Sequence, residues 1–237
     1  KKVDRMKSEF ISTVSHELRT PVTSIKGALG LIAGGAVGEL PEKADELVEI
    51  AKNNADRLVR LINDILDIEK LEFGRIEFNF EEADVCTLLS QAISQNQGYA
   101  NSFNVNLSLV FNLAKDQSVY VKVDVYRFSQ VMSNLISNAV KYSNSNETVE
   151  IQVDQQGDRV KVQVIDHGAG IPLEFQSRIF QKFAQADATD KRNPGGTGLG
   201  LSIVKTIVEK MQGDIAFISE PNRGSTFYFT LPVCKSS

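Results

Sequence analysis

No run of about 18 consecutive apolar residues occurs in the 237-residue sequence, so no membrane span is expected within it, and no signal peptide opens it. Basic residues do not cluster. Lys and Arg number 26 against 30 Asp and Glu, a net charge of -4 that argues against nucleic acid as the main partner. Cysteine is scarce: Cys86 and Cys234 stand far apart without ligand-like spacing, which fits two free thiols in a reducing compartment. A G-x-x-x-x-G-K-S/T string is absent, as are internal repeats and low-complexity segments. Because the chain starts at Lys1 rather than Met, it is expected to be a fragment, so a sensor or membrane segment elsewhere is not excluded. The 42% hydrophobic and 24% charged content is that of a soluble globular protein with one or two domains.

Val3 to Ile32 reads as one long helix. At about 100° per residue, Phe10, Val14, Leu18, Val22, Ile25 and Leu29 fall within roughly 120° of arc. His16 lies about 200° from Val14, so it is expected to face water, with Glu17 beside it and Thr20 one turn on. Pro21 cannot donate to the carbonyl of Glu17, and a bend near His16 is expected. A second helix is expected from Pro41 to Leu71, opened by Glu42, Asp45 and Glu46 and followed by Gly74. Its apolar residues Ala44, Leu47, Ala51, Leu58, Leu61, Ile65 and Ile68 recur at heptad-like spacing, and a glycine-rich reversal, Gly34 to Pro41, joins the two helices. Each helix is about 45 Å long with one apolar side, so an isolated pair leaves part of both stripes wet. A homodimer through residues 1–71, packed as a four-helix bundle, covers them; the alternative is that they dock on the chain's own second domain.

From Arg75 the pattern changes to mixed helix and strand. Strands are expected at Arg75 to Phe80, Val105 to Phe111, Val119 to Val123, Thr148 to Val153, Arg159 to Asp166, Asp214 to Ser219 and Ser225 to Leu231. Helices are expected at Ala83 to Ala100, Val125 to Tyr142, Leu173 to Gln181 and Leu199 to Gln212. Few strands are separated by regular crossover helices, so the fold class is a helical hairpin (residues 1–72) followed by an α+β two-layer sandwich (residues 73–237). The aperiodic stretch Ala184 to Thr197 reads as a mobile loop over a site.

Four stretches in the second part carry chemistry. Asn134, Asn138 and Lys141 cluster on one flank of their helix, where they form either a solvated edge or a place for a hydrated Mg²⁺ and a polyphosphate. Asp166 ends a β-run before Gly168 and Gly170; this is either a plain turn or a carboxylate that accepts from an adenine amino group. Arg178 has the forked donors that suit phosphate, while Phe180 and Phe183 read as core residues. The string GGTGLGL, Gly195 to Leu201, leads into a helix N-terminus, a natural anion site but weak evidence alone.

The order of motifs resembles that of the sensor histidine kinases. Ser15 to Pro21, SHELRTP, resembles their phospho-acceptor box, and NLISNAVKYS, ending at Ser143, resembles their N box. DHGAGIP and GGTGLGL are similar to the two glycine boxes, and RIFQKF to the F box. The resemblance spans about residues 3 to 232, with Val22 where leucine is common and His167 in a variable slot. It implies a dimerization and phospho-acceptor hairpin followed by a catalytic domain of the Bergerat ATP-binding fold, with three helices on one face of a mixed sheet.

The implied activity is ATP-dependent autophosphorylation of His16, then transfer to an aspartate of a response regulator, with dephosphorylation of that regulator as the reverse activity. Implied catalytic residues are His16, Glu17 as base and Thr20 for the reverse reaction. Implied nucleotide-binding residues are Asn134, Asn138, Lys141, Tyr142, Asp166, Gly168, Gly170, Ile171, Arg178, Phe183, Gly196, Thr197, Gly198, Leu199 and Gly200. ATP and Mg²⁺ are the implied cofactors, with Asn134 and Asn138 as metal ligands. Phe180 and Phe183 would then anchor the hinge of a lid. The implied location is cytoplasmic, whether free or as the inner part of a membrane-anchored sensor. Two rival readings are an ATPase-driven clamp and a nucleotide-binding scaffold. Clamp relatives carry a glutamate where this chain has Asn134, and an amide is a poor base for activating water.

Overall fold

The apolar spacing of the first third produces two helices, α1 (Lys2–Ala33) and α2 (Glu42–Glu72). The computed structural model describes residues 2–72, 76–113, 118–185 and 197–234, without the side chains of residues 2–13, 16 and 72. Helix α1 continues through Pro21 without interruption, and Ser24 Oγ donates to the Thr20 carbonyl at 3.1 Å. The reversal is built on Gly35 and Gly38, whose positive φ values of 80° and 91° suit glycine. Glu42 and Asp45 lie in the first turn of α2, where carboxylates face the positive end of the helix dipole.

The apolar stripe of each helix is split. Val22 packs with Ile62 and Leu66, flanked by Val59, and closes the hairpin seam. Arg19 donates to Asn63 Oδ1 at 3.0 Å and Lys26 pairs with Asp56 at 2.7 Å. The other half of each stripe stays in water: Val14, Leu18 and Ile25 on α1, and Leu47, Ile50 and Leu58 on α2.

Contacts divide the chain into two units, residues 1–76 and 77–237. The second unit runs β1 (Glu81–Asp84), α3 (Val85–Ser102), β2 (Asn106–Asn112), β3 (Tyr120–Val123), α4 (Val125–Tyr142), β4 (Thr148–Gln156) and β5 (Arg159–Asp166). It continues with a short α5 (Leu173–Gln176), α6 (Gly200–Lys210), β6 (Asp214–Glu220) and β7 (Gly224–Pro232). Strands β1 and β3 form an antiparallel pair, and the other strands make a five-stranded sheet in the order β2-β4-β5-β7-β6. Only β2 and β4 are parallel within that sheet. Alternation sorts its residues: Val149, Ile151, Val160, Val162, Phe229 and Leu231 are buried under α3, α4 and α6, while Glu150, Gln152, Lys161 and Tyr228 lie on the other face. The expected layer of three helices on a mixed sheet is therefore present.

Two expected elements differ. Residues 76–80 form no strand; pairing begins at Glu81, where β3 supplies a partner. The helix expected at Leu173 to Gln181 stops at Gln176, whose side chain turns back to donate to the carbonyls of Ile171 and Ser219. Turns with i→i−3 bonds, Arg178 to Phe175 and Gln181 to Arg178, carry the chain on.

Helix α4 links core and site. Phe128 is buried in its first turns and meets the Phe229 ring edge-on at 5.9 Å. Phe128→Ala is expected to destabilise the second unit by about 3–5 kcal/mol, read as a lower denaturant midpoint of its sheet signal.

Candidate functional site

Asp124 caps α4, accepting from the Arg127 amide at 3.0 Å, and the helix then presents Asn134, Asn138 and Lys141 at intervals of four and three residues. Asn134 and Asn138 are half-buried. Asn134 Nδ2 donates to the Gln130 carbonyl at 3.1 Å, which leaves Oδ1 directed at Gly200; a Cβ built on Gly200 would lie 2.9 Å from that oxygen. Lys141 Nζ lies 5.1 Å from the centroid of the half-exposed Tyr142 ring.

Helix α6 begins at Gly200 and has no side-chain cap. Its first amides are therefore open to an anion, next to Asn134 Oδ1. Thr197 Oγ1 accepts from the Leu199 amide at 3.2 Å, and Gly198, at φ 71°, turns the chain into the helix while Leu199 is buried behind it. Gly196 and most of the expected loop, residues 186–196, lie outside the described residues.

At the end of β5, Asp166 is 5% exposed. Its Oδ1 accepts from the amides of Gly168 at 3.0 Å and Ser225 at 3.2 Å, which leaves Oδ2 for a donor from outside. Burial pushes this carboxyl above the usual carboxylate range, and the two amides only partly offset that. Gly168 is required by space, because a Cβ there would collide with the Tyr142 carbonyl. Gly170 meets the Glu220 carbonyl in the same way. The buried Ile171 donates its amide to Ser219 Oγ at 2.9 Å. His167, in the same turn, is exposed, with Nε2 3.9 Å from Glu150 Oε1.

Sequence reasoning missed the β6–β7 turn that backs Asp166. Ser219 Oγ also contacts the Gly224 carbonyl and Ser225 Oγ, both at 3.0 Å, and the Asn222 amide donates to the Ala169 carbonyl at 2.7 Å. The signal was the Gly224-Ser225 pair that opens β7, a glycine at φ 92° followed by a buried hydroxyl. Phe180 packs against Phe217 and Phe227 as a core residue should. Phe183 differs from that expectation: it is 65% exposed at φ 60°, because the chain leaves the core one turn earlier. Arg178 is exposed.

In the first unit, Glu17 and Thr20 are exposed on α1 and Ser15 is buried. The His16 side chain, expected to face water, lies outside the described residues. Among the described residues no group of three His, Cys, Asp or Glu could hold a metal, and no helix is long and apolar enough to cross a membrane.

Residues 6–74 match the His Kinase A (phospho-acceptor) domain, and residues 123–235 match the histidine kinase-, DNA gyrase B- and HSP90-like ATPase family. The chain is 38% identical over 226 residues to the circadian input-output histidine kinase CikA of Synechococcus elongatus, covering 95% of this chain and 30% of that protein. It is 40% identical over 238 residues to the signal transduction histidine-protein kinase BarA of Escherichia coli, covering 95% of this chain and 24% of BarA. The chain thus spans a third or less of the length of these two relatives. Among solved structures, full-length ShkA in complex with AMPPNP superposes with a TM-score of 0.77 at 26% identity, over 97% of this chain and 46% of that one.

The raised carboxyl of Asp166 has a measurable consequence. A carboxyl whose folded pKa exceeds its unfolded value subtracts stability once pH rises through the folded pKa, and subtracts nothing below the unfolded value near ~3.9. Asp166→Asn keeps an Oδ1 acceptor for both amides and has no charge to bury. It is expected to raise the melting temperature at neutral pH, and the gain should vanish as pH is lowered toward ~4; a gain constant with pH would contradict this account.

Proposed function

This chain belongs to the sensor histidine kinases, and we propose that it phosphorylates His16 from ATP and passes the phosphoryl group to an aspartate of a response regulator. Residues 1–72 are read as the dimerization and phosphotransfer hairpin, and residues 73–237 as the catalytic domain. The observation that carries this reading is the convergence of Asn134 Oδ1 on the uncapped start of α6, together with the free oxygen of buried Asp166. One suits a metal-bound polyphosphate and the other the amino group of adenine. Phe183 and Arg178 flank the same site in sequence, Arg178 reaching phosphate. The AMPPNP held by ShkA supports ATP as the ligand.

In the proposed step a ring nitrogen of neutral His16 attacks the γ-phosphorus, the bond to the bridging oxygen breaks, and ADP leaves. Glu17 takes the proton from the other ring nitrogen, so the phosphorylated imidazole ends neutral. A free imidazole, with a pKa near ~6.5, is mostly neutral at cytoplasmic pH, where this reaction is placed. Mg²⁺, held through the amide oxygens of Asn134 and Asn138, would supply charge to the triphosphate; Lys141 and Arg178 would add theirs. Thr20, exposed one turn from His16, would orient water in the reverse dephosphorylation. The exposed halves of the α1 and α2 stripes support a homodimer through residues 1–71.

Incubation with ATP labelled at the γ-phosphate is expected to give acid-labile, base-stable label on the protein. His16→Gln should abolish the label and bind ATP as before, and Asn138→Ala should lose Mg²⁺-dependent ATP binding. Thr20→Ala should keep the label and lose phosphatase activity. Free phosphate without protein label would favour the clamp, and binding without either product the scaffold. In sedimentation the chain is expected to be a dimer at micromolar concentration, with Leu18→Glu plus Ile25→Glu giving monomers; a monomeric parent chain would overturn the dimer.

A further inference from the structure

Asp124 does more than cap a helix. It is 8% exposed, and its two carboxylate oxygens serve two separate pieces of chain. Oδ1 accepts from the Arg127 amide at 3.0 Å and starts α4. Oδ2 accepts from the Asn79 amide at 2.9 Å, in the stretch 76–80 that is neither helix nor strand.

The register explains why a side chain makes this bond. Strands β1 and β3 pair with Glu81 opposite Val123. Two residues further, the ladder would bring Asn79 opposite Val125, but the backbone there is already helical. The Asp124 carboxylate replaces the missing strand acceptor, so the pairing ends on the helix cap itself. Packing adds little to hold this stretch. A cavity of about 610 Å³ opens between it and α3 and α4, lined by Glu77, Asn79, Gln91, Gln95, Asp124 and Arg127, and Asn79 and Phe80 are exposed. Phe78 and Phe80 stack on each other at 5.5 Å, ring to ring.

We propose that Asp124 is a positioning residue that clasps the stretch 76–80 to α4, so that nucleotide held by Asn134 and Asn138 and the chain leading from the His16 hairpin respond to one another. This rests on the kinase reading above. A nucleotide that steadies α4 must also steady the clasp, and coupling between two sites is reciprocal. The clasp acts more on the use of bound ATP than on its binding, because Asn134 and Asn138 lie further along α4; by the same reciprocity its loss weakens nucleotide binding only as far as nucleotide steadies it.

Two variants of the 237-residue chain separate the clasp from the cap. Asp124→Ser keeps a good N-cap with one short oxygen that serves α4 and cannot also reach Asn79. Asn79→Pro deletes the donated N–H and leaves Asp124 and its cap intact. Both are expected to lower the kcat of His16 phosphorylation by about 10-fold, with KM for ATP and the Kd for Mg-AMPPNP within about threefold of the parent, equivalent to less than about 0.7 kcal/mol. In the parent chain, Mg-AMPPNP is expected to slow hydrogen exchange at the Asn79 amide by about threefold, the factor by which loss of the clasp can weaken nucleotide binding, and in Asp124→Ser to leave it unchanged. Weakened nucleotide binding in step with kcat would make Asp124 a plain cap and overturn the proposal, as would an Asn79 amide indifferent to nucleotide in the parent. Should Asp124→Ser fail to fold, Asn79→Pro still decides by its kcat against KM. A parent chain that neither binds nucleotide nor labels His16 would overturn the kinase reading and this one with it; variants equal to a working parent would overturn this one alone.

Discussion

The second unit depends on how closely backbone can approach the carboxylate of Asp166. That group is buried at a strand end, where an ionised oxygen has no water to turn to, and two backbone amides must come to it. One amide comes from the turn after β5 and the other from the start of β7, and neither could reach Oδ1 if side chains stood between. A Cβ at Gly168 would strike the end of α4, one at Gly170 the turn after β6, and one at Gly224 the carbonyl of Asp166 itself. The glycines are therefore the means by which α4, β5 and the β6–β7 turn meet at one oxygen. Oδ1 is spent on holding the fold, and Oδ2 is what remains for a ligand.

The hairpin obeys a different constraint. A two-helix pair has one seam, and Val22, Ile62 and Leu66 fill it. The remaining apolar side chains of each stripe cannot turn inward without losing helical register, so Leu18, Ile25, Leu47 and Leu58 stay exposed. Glu17 and Thr20 are exposed as well, and one helix thus carries an apolar stripe and a polar stretch. A second copy covering the stripe would leave that stretch in water.

Much of this was legible in the sequence wherever a period had one physical meaning. Helix α4 runs Val125–Tyr142 as its spacing requires, because one apolar face and an aspartate cap agree. Arg75 to Phe80 misled because alternation of apolar and polar residues also describes a stretch with no partner strand; pairing, not pattern, makes a strand, and β3 meets only residues from Glu81 on. The α5 region misled for the opposite reason. Its apolar spacing fits a helix, but a long-range bond from Gln176 to Ser219 turns the chain, and a contact across 43 positions has no local trace. The β6–β7 turn left only the Gly224-Ser225 pair as a trace, because its role is to place an amide, and every residue type but proline has one.

On the proposed reading, the residue that decides between transfer and hydrolysis is an amide. Water and imidazole then compete for the same phosphoryl group, and a base placed by the nucleotide would favour water. Position 134 is where clamp relatives hold a glutamate, and here it holds an asparagine whose nitrogen is already committed to the Gln130 carbonyl. The oxygen left facing α6 can bind a cation but cannot accept a proton at neutral pH, so water in the cleft gains nothing from it. Glu17, the base in the proposed step, follows His16 in sequence and belongs to the other unit of the chain. On that reading no base at residue 134 of the nucleotide-binding unit favours water, and phosphoryl transfer waits for the imidazole.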